Sequence, residues 1–180
     1  MKIERFTTPT WMGHFDVDDA LVKMYKDWVK FEKELDPIGA SESTTRNGWQ
    51  YIFGQWDAEP NWLQQLKPVI DSIRSEIKCT RVKTVWAVDY EKGGFQDPHF
   101  HNIGVASVMT IIINLTGEGD VILQNPNPVA MAQGLGFAEI VHLTPGDWLV
   151  FPAYIIHNSR PAEMPRGILV LDVFVEDYGL

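Results

Sequence analysis

Between Asp18 and Leu35 the apolar residues Leu21, Met24, Trp28, Phe31 and Leu35 recur at spacings of three and four, with Lys and Asp between them. That period belongs to an amphipathic helix, and it places Trp28 and Phe31 toward the core. Asp16 or Asp18 can cap its first turn, and Pro37 with Gly39 ends it. A second stripe, Trp62, Leu63, Leu66, Val69, Ile70, Ile73 and Ile77, follows Pro60, which suits a first helical turn. Pro68 lies inside this stripe and predicts a kink or an interrupted first segment. Before the first helix, residues 1–15 are irregular and aromatic and read as a strand laid against the domain edge. Between the helices, residues 36–48 read as a polar loop that covers something, followed by a short strand, Trp49–Phe53.

From Arg81 onward the period changes. Short β-rich runs are predicted at Val82–Tyr90, Pro98–His101, Val105–Leu115, Asp120–Leu123, Glu139–Leu143, Trp148–Phe151, Ile155–His157 and Gly167–Val175. Gly93-Gly94, Thr116–Asp120, Asn125–Pro128 and Thr144–Asp147 punctuate them as turns. About eight strands with regular turns point to a sandwich or jelly roll. Two helices ahead of the strands make the class α+β, mainly β, with the helices packed on one side of a sheet. The expectation is a single domain over 1–180, with helical support in 1–80 and a barrel core in 81–180.

Composition adds bounds rather than detail. The 180 residues are 45% hydrophobic and 22% charged, ordinary for one globular domain. A net charge of -9 argues against a generic electrostatic grip on nucleic acid, which needs a basic patch. The single cysteine, Cys79, permits no internal disulfide and suits a reducing cytoplasm. It is expected to be buried where the second helix meets the first barrel strand. The first residues lack the apolar core of a signal peptide, and no run reaches the roughly 20 apolar residues of a membrane span. A cytoplasmic protein with no membrane partner is the expectation.

The chemistry concentrates in Asp97-Pro-His-Phe-His101 and in His157, at the end of Phe151-Pro-Ala-Tyr-Ile-Ile-His157. Histidines at i, i+2 of an extended segment share one face, and alternation puts Asp97 on that face too. The turn Thr144–Asp147 and the strand after it are expected to form a hairpin that returns His157 to the first two. Three imidazoles suit iron, copper, zinc or nickel, so ligand type alone leaves the metal open. His14 and His142 read instead as surface or satisfied core residues. Arg166 opens an otherwise apolar strand, and a buried guanidinium needs an anionic partner. Asp172 or Glu163 could supply it, but a bound organic acid is favoured, and Arg160 is a second basic residue in the same stretch.

Tyr90-Glu-Lys-Gly-Gly-Phe-Gln-Asp-Pro-His-Phe-His101, Asn114-Leu-Thr-Gly-Glu-Gly-Asp120, Pro145-Gly-Asp-Trp-Leu-Val-Phe-Pro152 and the pair His157 and Arg166 together resemble the Fe(II)/2-oxoglutarate-dependent dioxygenases. The branch most similar occurs in phages and marine bacteria and carries Pro-His-x-His in place of His-x-Asp. Gly48-Trp-Gln50 resembles the same branch upstream, so the likeness spans most of residues 41–175.

The resemblance implies a double-stranded β-helix, a jelly-roll or cupin-like barrel, holding Fe(II) and 2-oxoglutarate. By position it makes His99 the first metal ligand and His157 the last. Arg166 would bind the distal carboxylate of 2-oxoglutarate, with Tyr90 and Asn114 as further co-substrate contacts. The departure is His101, which stands where the family has a carboxylate. Either His101 is itself a ligand, the preferred assignment, or Asp97 or a water completes the site. The implied activity is hydroxylation with release of succinate and CO2, on a peptidyl or amino-acid side chain or another small molecule. The alternatives are a three-His cupin-like metal enzyme that does not use 2-oxoglutarate, and a non-catalytic barrel that binds a small acid or a partner. Residues 36–48 and Asn125–Gly136 would border the substrate entrance.

Overall fold

The computed structural model describes residues 9–40, 44–53, 60–101, 108–127, 132, 134 and 136–176. Strands β1 (Trp11–His14), β2 (Thr45–Phe53), β3 (Cys79–Gln96), β4 (Val108–Thr116), β5 (Gly119–Gln124), β6 (Ala138–Leu143), β7 (Asp147–Pro152), β8 (His157–Ser159) and β9 (Arg166–Val175) accompany helices α1 (Asp19–Leu35) and α2 (Asn61–Glu76). A six-stranded sheet has the order β1-β7-β4-β9-β3-β2, and a three-stranded sheet the order β6-β5-β8. Every recorded strand pair is antiparallel.

Strand alternation sorts the core into two layers. On one face of the large sheet, Val85, Ala87, Ile111, Ile113, Val150, Leu169 and Leu171 pack against Leu21, Tyr25 and Val29 of α1 and Trp62, Leu66, Ile70 and Ile73 of α2. On the other, Trp86, Val88, Ile112, Leu149, Phe151, Ile168 and Val170 meet Val121, Leu123, Val141 and Leu143 of the small sheet. Strand β4, central and covered on both sides, is buried throughout. The two helices therefore lie on the outer face of the large sheet, as expected, and the space between the sheets is left for the site.

Asp18 caps α1, accepting the Leu21 N–H at 2.7 Å, and Lys33 ties the helix to Asp89 of β3 at 2.6 Å. The buried arc of α1 differs from the expected stripe. Trp28 is partly buried in an aromatic cluster with Trp49, Tyr51, Phe53 and Trp62, but Phe31 and Leu35 are 57% and 67% exposed. The helix rests on Leu21, Tyr25 and Val29, and at 3.6 residues per turn Phe31 falls on its flank. Leu35 sits in the last turn, where the chain leaves at Asp36. Pro68 does not interrupt α2, which runs unbroken through it.

Several β boundaries also move. Strand β2 begins at Thr45, so the expected loop is shortened at its far end, and its residues 41–43 lie outside the described residues. Strand β3 continues through Gly93-Gly94, expected as a turn, because a register shift between Arg46 and Gly48 absorbs the extra residues as an irregularity. Gly93, at φ 81, and Gly94 then exchange backbone hydrogen bonds with Ala162. The end of β3 stays paired with β2 through Phe95 and Gln96, and Gln96 N also reaches Ser159 Oγ of β8 at 2.8 Å. The Thr144–Asp147 turn makes no hairpin, because β6 belongs to the small sheet while β7 and β8 belong to different sheets. Residues 102–107, which include 105–107 at the start of the expected Val105–Leu115 strand, lie outside the described residues, as do 128–131, 133 and 135 of the Asn125–Gly136 segment. No helix among the described residues is long and apolar enough to cross a membrane.

Candidate active site

Pro98–His101 is not a continuous strand. Pro98 has no N–H to donate, and pairing reduces to one antiparallel bridge between His99 and His157. His99 N donates to His157 O at 3.0 Å, and His157 N returns a bond to His99 O at 2.8 Å. His101 N is held by Ala153 O at 2.9 Å. His157 opens β8 rather than ending a strand, paired on its other side with Leu123 of β5.

These backbone bonds bring the three rings together. Centroids lie 4.2 Å apart for His99 and His157, 5.3 Å for His99 and His101, and 5.0 Å for His101 and His157. One ring nitrogen from each falls within 4.8 Å of the others, a group able to hold a metal ion. The second nitrogens decide which. His99 Nδ1 faces the Asp97 carbonyl at 2.8 Å, His157 Nδ1 the Ile155 carbonyl at 3.0 Å, and His101 Nδ1 the Asp172 carboxylate at 2.8 Å. Acceptor oxygens on all three Nδ1 atoms fix the proton there and leave the Nε2 lone pairs for a cation. Burial lowers the pKa of His99, and burial with the His99 ring beside it lowers His157 to about 3. Neutral imidazoles are what metal ligation requires. Trp86 packs edge-on against His101 and Phe151 against His157, restricting both rings.

Asp97 is turned elsewhere. Its carboxylate pairs with Arg46, its N–H is bonded to Thr44 O, and it lies outside the three-residue group. Among the described residues the carboxylate in contact with this histidine group is Asp172, which the sequence offers as a partner for Arg166. It sits instead behind His101, accepting also from Thr110 Oγ1 at 2.9 Å, and so is not the partner of Arg166. Glu163 is exposed.

Arg166 begins β9 and is 2% exposed. Its Nε donates to Asn114 Oδ1 at 2.7 Å, and Asn114 Nδ2 is anchored on Gly117 O at 2.6 Å. Gly119 lets the guanidinium lie close, since a Cβ there would stand 2.7 Å from Nη1. Nη2 is buried and has no hydrogen-bond partner among the described residues. Burial draws the arginine pKa below its ordinary value. Tyr90 donates its hydroxyl to Gln96 Oε1 at 2.8 Å, and burial, partly offset by Arg166, pushes its pKa up to about 12.

A pocket joins these groups. His99, His101, His157, Tyr90 and Arg166 line it with Gln96, Ser159 and the apolar Ile112, Val121, Ile168 and Val170. Asn114 is not among the lining residues; it holds Arg166 from behind. Gln96, which sequence reasoning passed over, joins the pocket to residue 44, where its Nε2 donates to Thr44 Oγ1 at 2.8 Å. Arg160, His14 and His142 are outside the site, paired at the surface with Asp120, Asp147 and again Asp120. Cys79 is half-buried at the α2–β3 junction, 3.5 Å from Arg74 Nε.

The fold is that of known oxygenases. A prolyl-4-hydroxylase from Pseudomonas putida superposes with a TM-score of 0.67 at 14% identity, over 95% of each chain. A prolyl hydroxylase from Trichoplax adhaerens, in complex with a hypoxia inducible factor degradation-domain peptide, gives 0.67 at 16% identity, over 96% of this chain and 86% of that one. The α-ketoglutarate-dependent carbocyclase SnoK of nogalamycin biosynthesis gives 0.67 at 13%, over 94% and 81%. At these identities the shared property is the fold, a double-stranded β-helix. No family model and no curated protein matches the chain by sequence.

Proposed function

We propose that the protein is a non-haem Fe(II)/2-oxoglutarate-dependent oxygenase that hydroxylates a peptidyl or other small substrate, with release of succinate and CO2. The observation that carries this reading is Arg166 Nη2, a buried donor with no partner among the described residues, in the same pocket as three histidines whose Nε2 lone pairs face a common point. Leaving a buried charged donor unpaired costs more than a typical hydrogen bond returns, so the position is built for an anion. A carboxylate fits a guanidinium fork, and a three-nitrogen face fits a divalent transition metal, so the residues suit both groups.

Bound together, Fe(II) and 2-oxoglutarate would supply oxidation of a C–H bond by dioxygen, coupled to loss of CO2 from the acid. His99, His101 and His157 would hold the metal, in orientations fixed by their Nδ1 bonds. Arg166 would fix the far carboxylate of the acid, with Asn114 holding the guanidinium in place. The Tyr90 phenol, kept protonated, offers an O–H donor that now rests on Gln96. Ile112, Val121, Ile168 and Val170 exclude water from between these polar ends. The peptide carried by the Trichoplax neighbour supports a peptide substrate. A single domain over 1–180, working in the cytoplasm with no membrane partner, fits the lone cysteine and an oxidisable Fe(II) site. For a phage-encoded copy that compartment is the host's.

One observation favours a second reading. His101 occupies the carboxylate position, as in a three-His cupin-like metal enzyme that does without 2-oxoglutarate. The test is an anaerobic titration of 2-oxoglutarate into Fe(II)-loaded protein, followed by visible absorption, with His99→Ala and Arg166→Ala alongside. A charge-transfer band lost in the first variant and weakened in the second is expected. Iron uptake with no band supports the cupin-like enzyme, and no iron uptake leaves a binding role.

A further inference from the structure

Asp172 and Arg166 are both buried, at 4% and 2% exposure, and both lie on β9 at positions of the same parity. Their side chains therefore enter the same inter-sheet space. Among the described residues no carboxylate is ion-paired with Arg166, on which Asp120 acts only at longer range, and Asp172 has no lysine or arginine partner. Asp172 is in contact with the His101 imidazole and the Thr110 hydroxyl, and no Lys or Arg pairs with it among the described residues. Arg166 is held by a neutral amide. A buried anion without a cation is as costly as a buried cation without an anion.

We propose that Asp172 is the anion of the metal centre, acting through His101 and replacing the charge that a carboxylate ligand at position 101 would provide. The inference rests on the metal reading above. His101 Nδ1–H lies between Asp172 Oδ1 at 2.8 Å and Thr110 Oγ1 at 3.0 Å, and Thr110 donates its own proton to the same carboxylate oxygen at 2.9 Å. The carboxylate thus fixes the tautomer, aims Nε2 at the metal position and raises the electron density of that nitrogen. A metal on Nε2 is then the cation that Asp172 lacks, just as an acid is the anion that Arg166 lacks. With both bound, the divalent cation offsets the doubly charged acid and Asp172 offsets Arg166, so the filled pocket is electroneutral. Asp172 is accordingly a positioning and charge-balancing residue, not a ligand.

The test is anaerobic Fe(II) binding in competition with a chromophoric chelator. Asp172→Asn keeps an oxygen acceptor for His101 while removing the charge, and should weaken Fe(II) by about 10–100-fold. The melting temperature of the metal-free variant should not fall. His101→Asp alone sets two carboxylates against each other, so His101→Asp with Asp172→Asn should bind Fe(II) more tightly than His101→Asp. A residue that merely holds a ring would not produce that rescue. Wild-type affinity in Asp172→Asn overturns the proposal while leaving the metal reading intact, and so does failure of the double variant to exceed His101→Asp. If Asp172→Ala loses Fe(II) and Asp172→Asn keeps it, the role is positional only and the charge assignment falls. A wild-type protein that takes up no Fe(II) overturns the metal reading and this inference together.

Discussion

His99 and His157 are joined by two backbone hydrogen bonds, 3.0 and 2.8 Å, and their ring centroids stand 4.2 Å apart. The bridge that ties the segment after β3 to β8 is thus made by the same two residues that face each other within the pocket. Site geometry and local folding are coupled at this point, and stability and ligand binding should respond together to changes there.

Acid should act on this pair first. A histidine in an unfolded chain has a pKa near 6.5, whereas His157 in the folded chain is lowered to about 3 by burial. Between those values the unfolded state holds the extra proton, so stability falls as pH drops from about 6.5 toward about 3. The lowered His99 pKa acts in the same direction. Thermal melts of the metal-free protein from pH 7 to pH 4 should show a falling melting temperature. The fall should be smaller in His157→Gln, whose side chain does not titrate.

Replacing Arg166 should separate stability from ligand binding. Arg166→Met removes a buried charge whose Nη2 is unpaired while keeping much of the side-chain length. The ligand-free variant should melt no lower than wild type, since apolar replacement of uncompensated buried charge is often neutral or stabilising. Addition of 2-oxoglutarate with Fe(II) should raise the wild-type melting temperature beyond the effect of Fe(II) alone, and this increment should vanish in Arg166→Met.

Asn114 predicts the opposite pattern. Its removal in Asn114→Ala leaves Arg166 Nε unpaired as well and frees Gly117 O. An unfolding free energy lower by about 1–3 kcal/mol is expected from urea denaturation. Affinity for 2-oxoglutarate should fall because the guanidinium is no longer held, while Fe(II) affinity stays at the wild-type level.

On the outer face of β9, Gly167 leaves room for the buried ring of Tyr25. A Cβ there would fall 2.4 Å from Cε1 and 2.6 Å from the hydroxyl. Gly167→Ala should cost about 1–3 kcal/mol in urea denaturation through overpacking of the α1–sheet interface. Tyr25→Leu in the same chain should recover part of the loss, because the two positions share one contact.

Much of this protein is legible from periodicity alone. The spacings of three and four around Leu21 and Ile70, and the short β-rich runs punctuated by turn residues after Arg81, declare two helices on one side of a mainly β core. The i, i+2 pair His99 and His101, and the buried-looking Arg166, announce a site because such residues in apolar surroundings need partners. The errors are equally physical. Phe31 and Leu35 satisfy the helical spacing but lie beyond the arc that the sheet covers, and sequence period does not say where a covering layer ends. Gly93-Gly94 reads as a turn, yet pairing with β2 and Ala162 absorbs it.

The sequence by itself therefore determined the elements, the layer class and the identity of the chemically capable residues, since these follow from local sterics and from the need to bury apolar surface. Only the tertiary structure decided who partners whom. Asp97 adjoins the histidines in the chain but is taken by Arg46, while distant Asp172 reaches His101 because β9 pairs with β4 in the register that sets Asp172 opposite Thr110. Asn114 lies behind Arg166 for the same reason, two strands held in fixed register. Contacts between strands remote in sequence depend on sheet order and register, and those are set by the packing of the whole core rather than by any one segment.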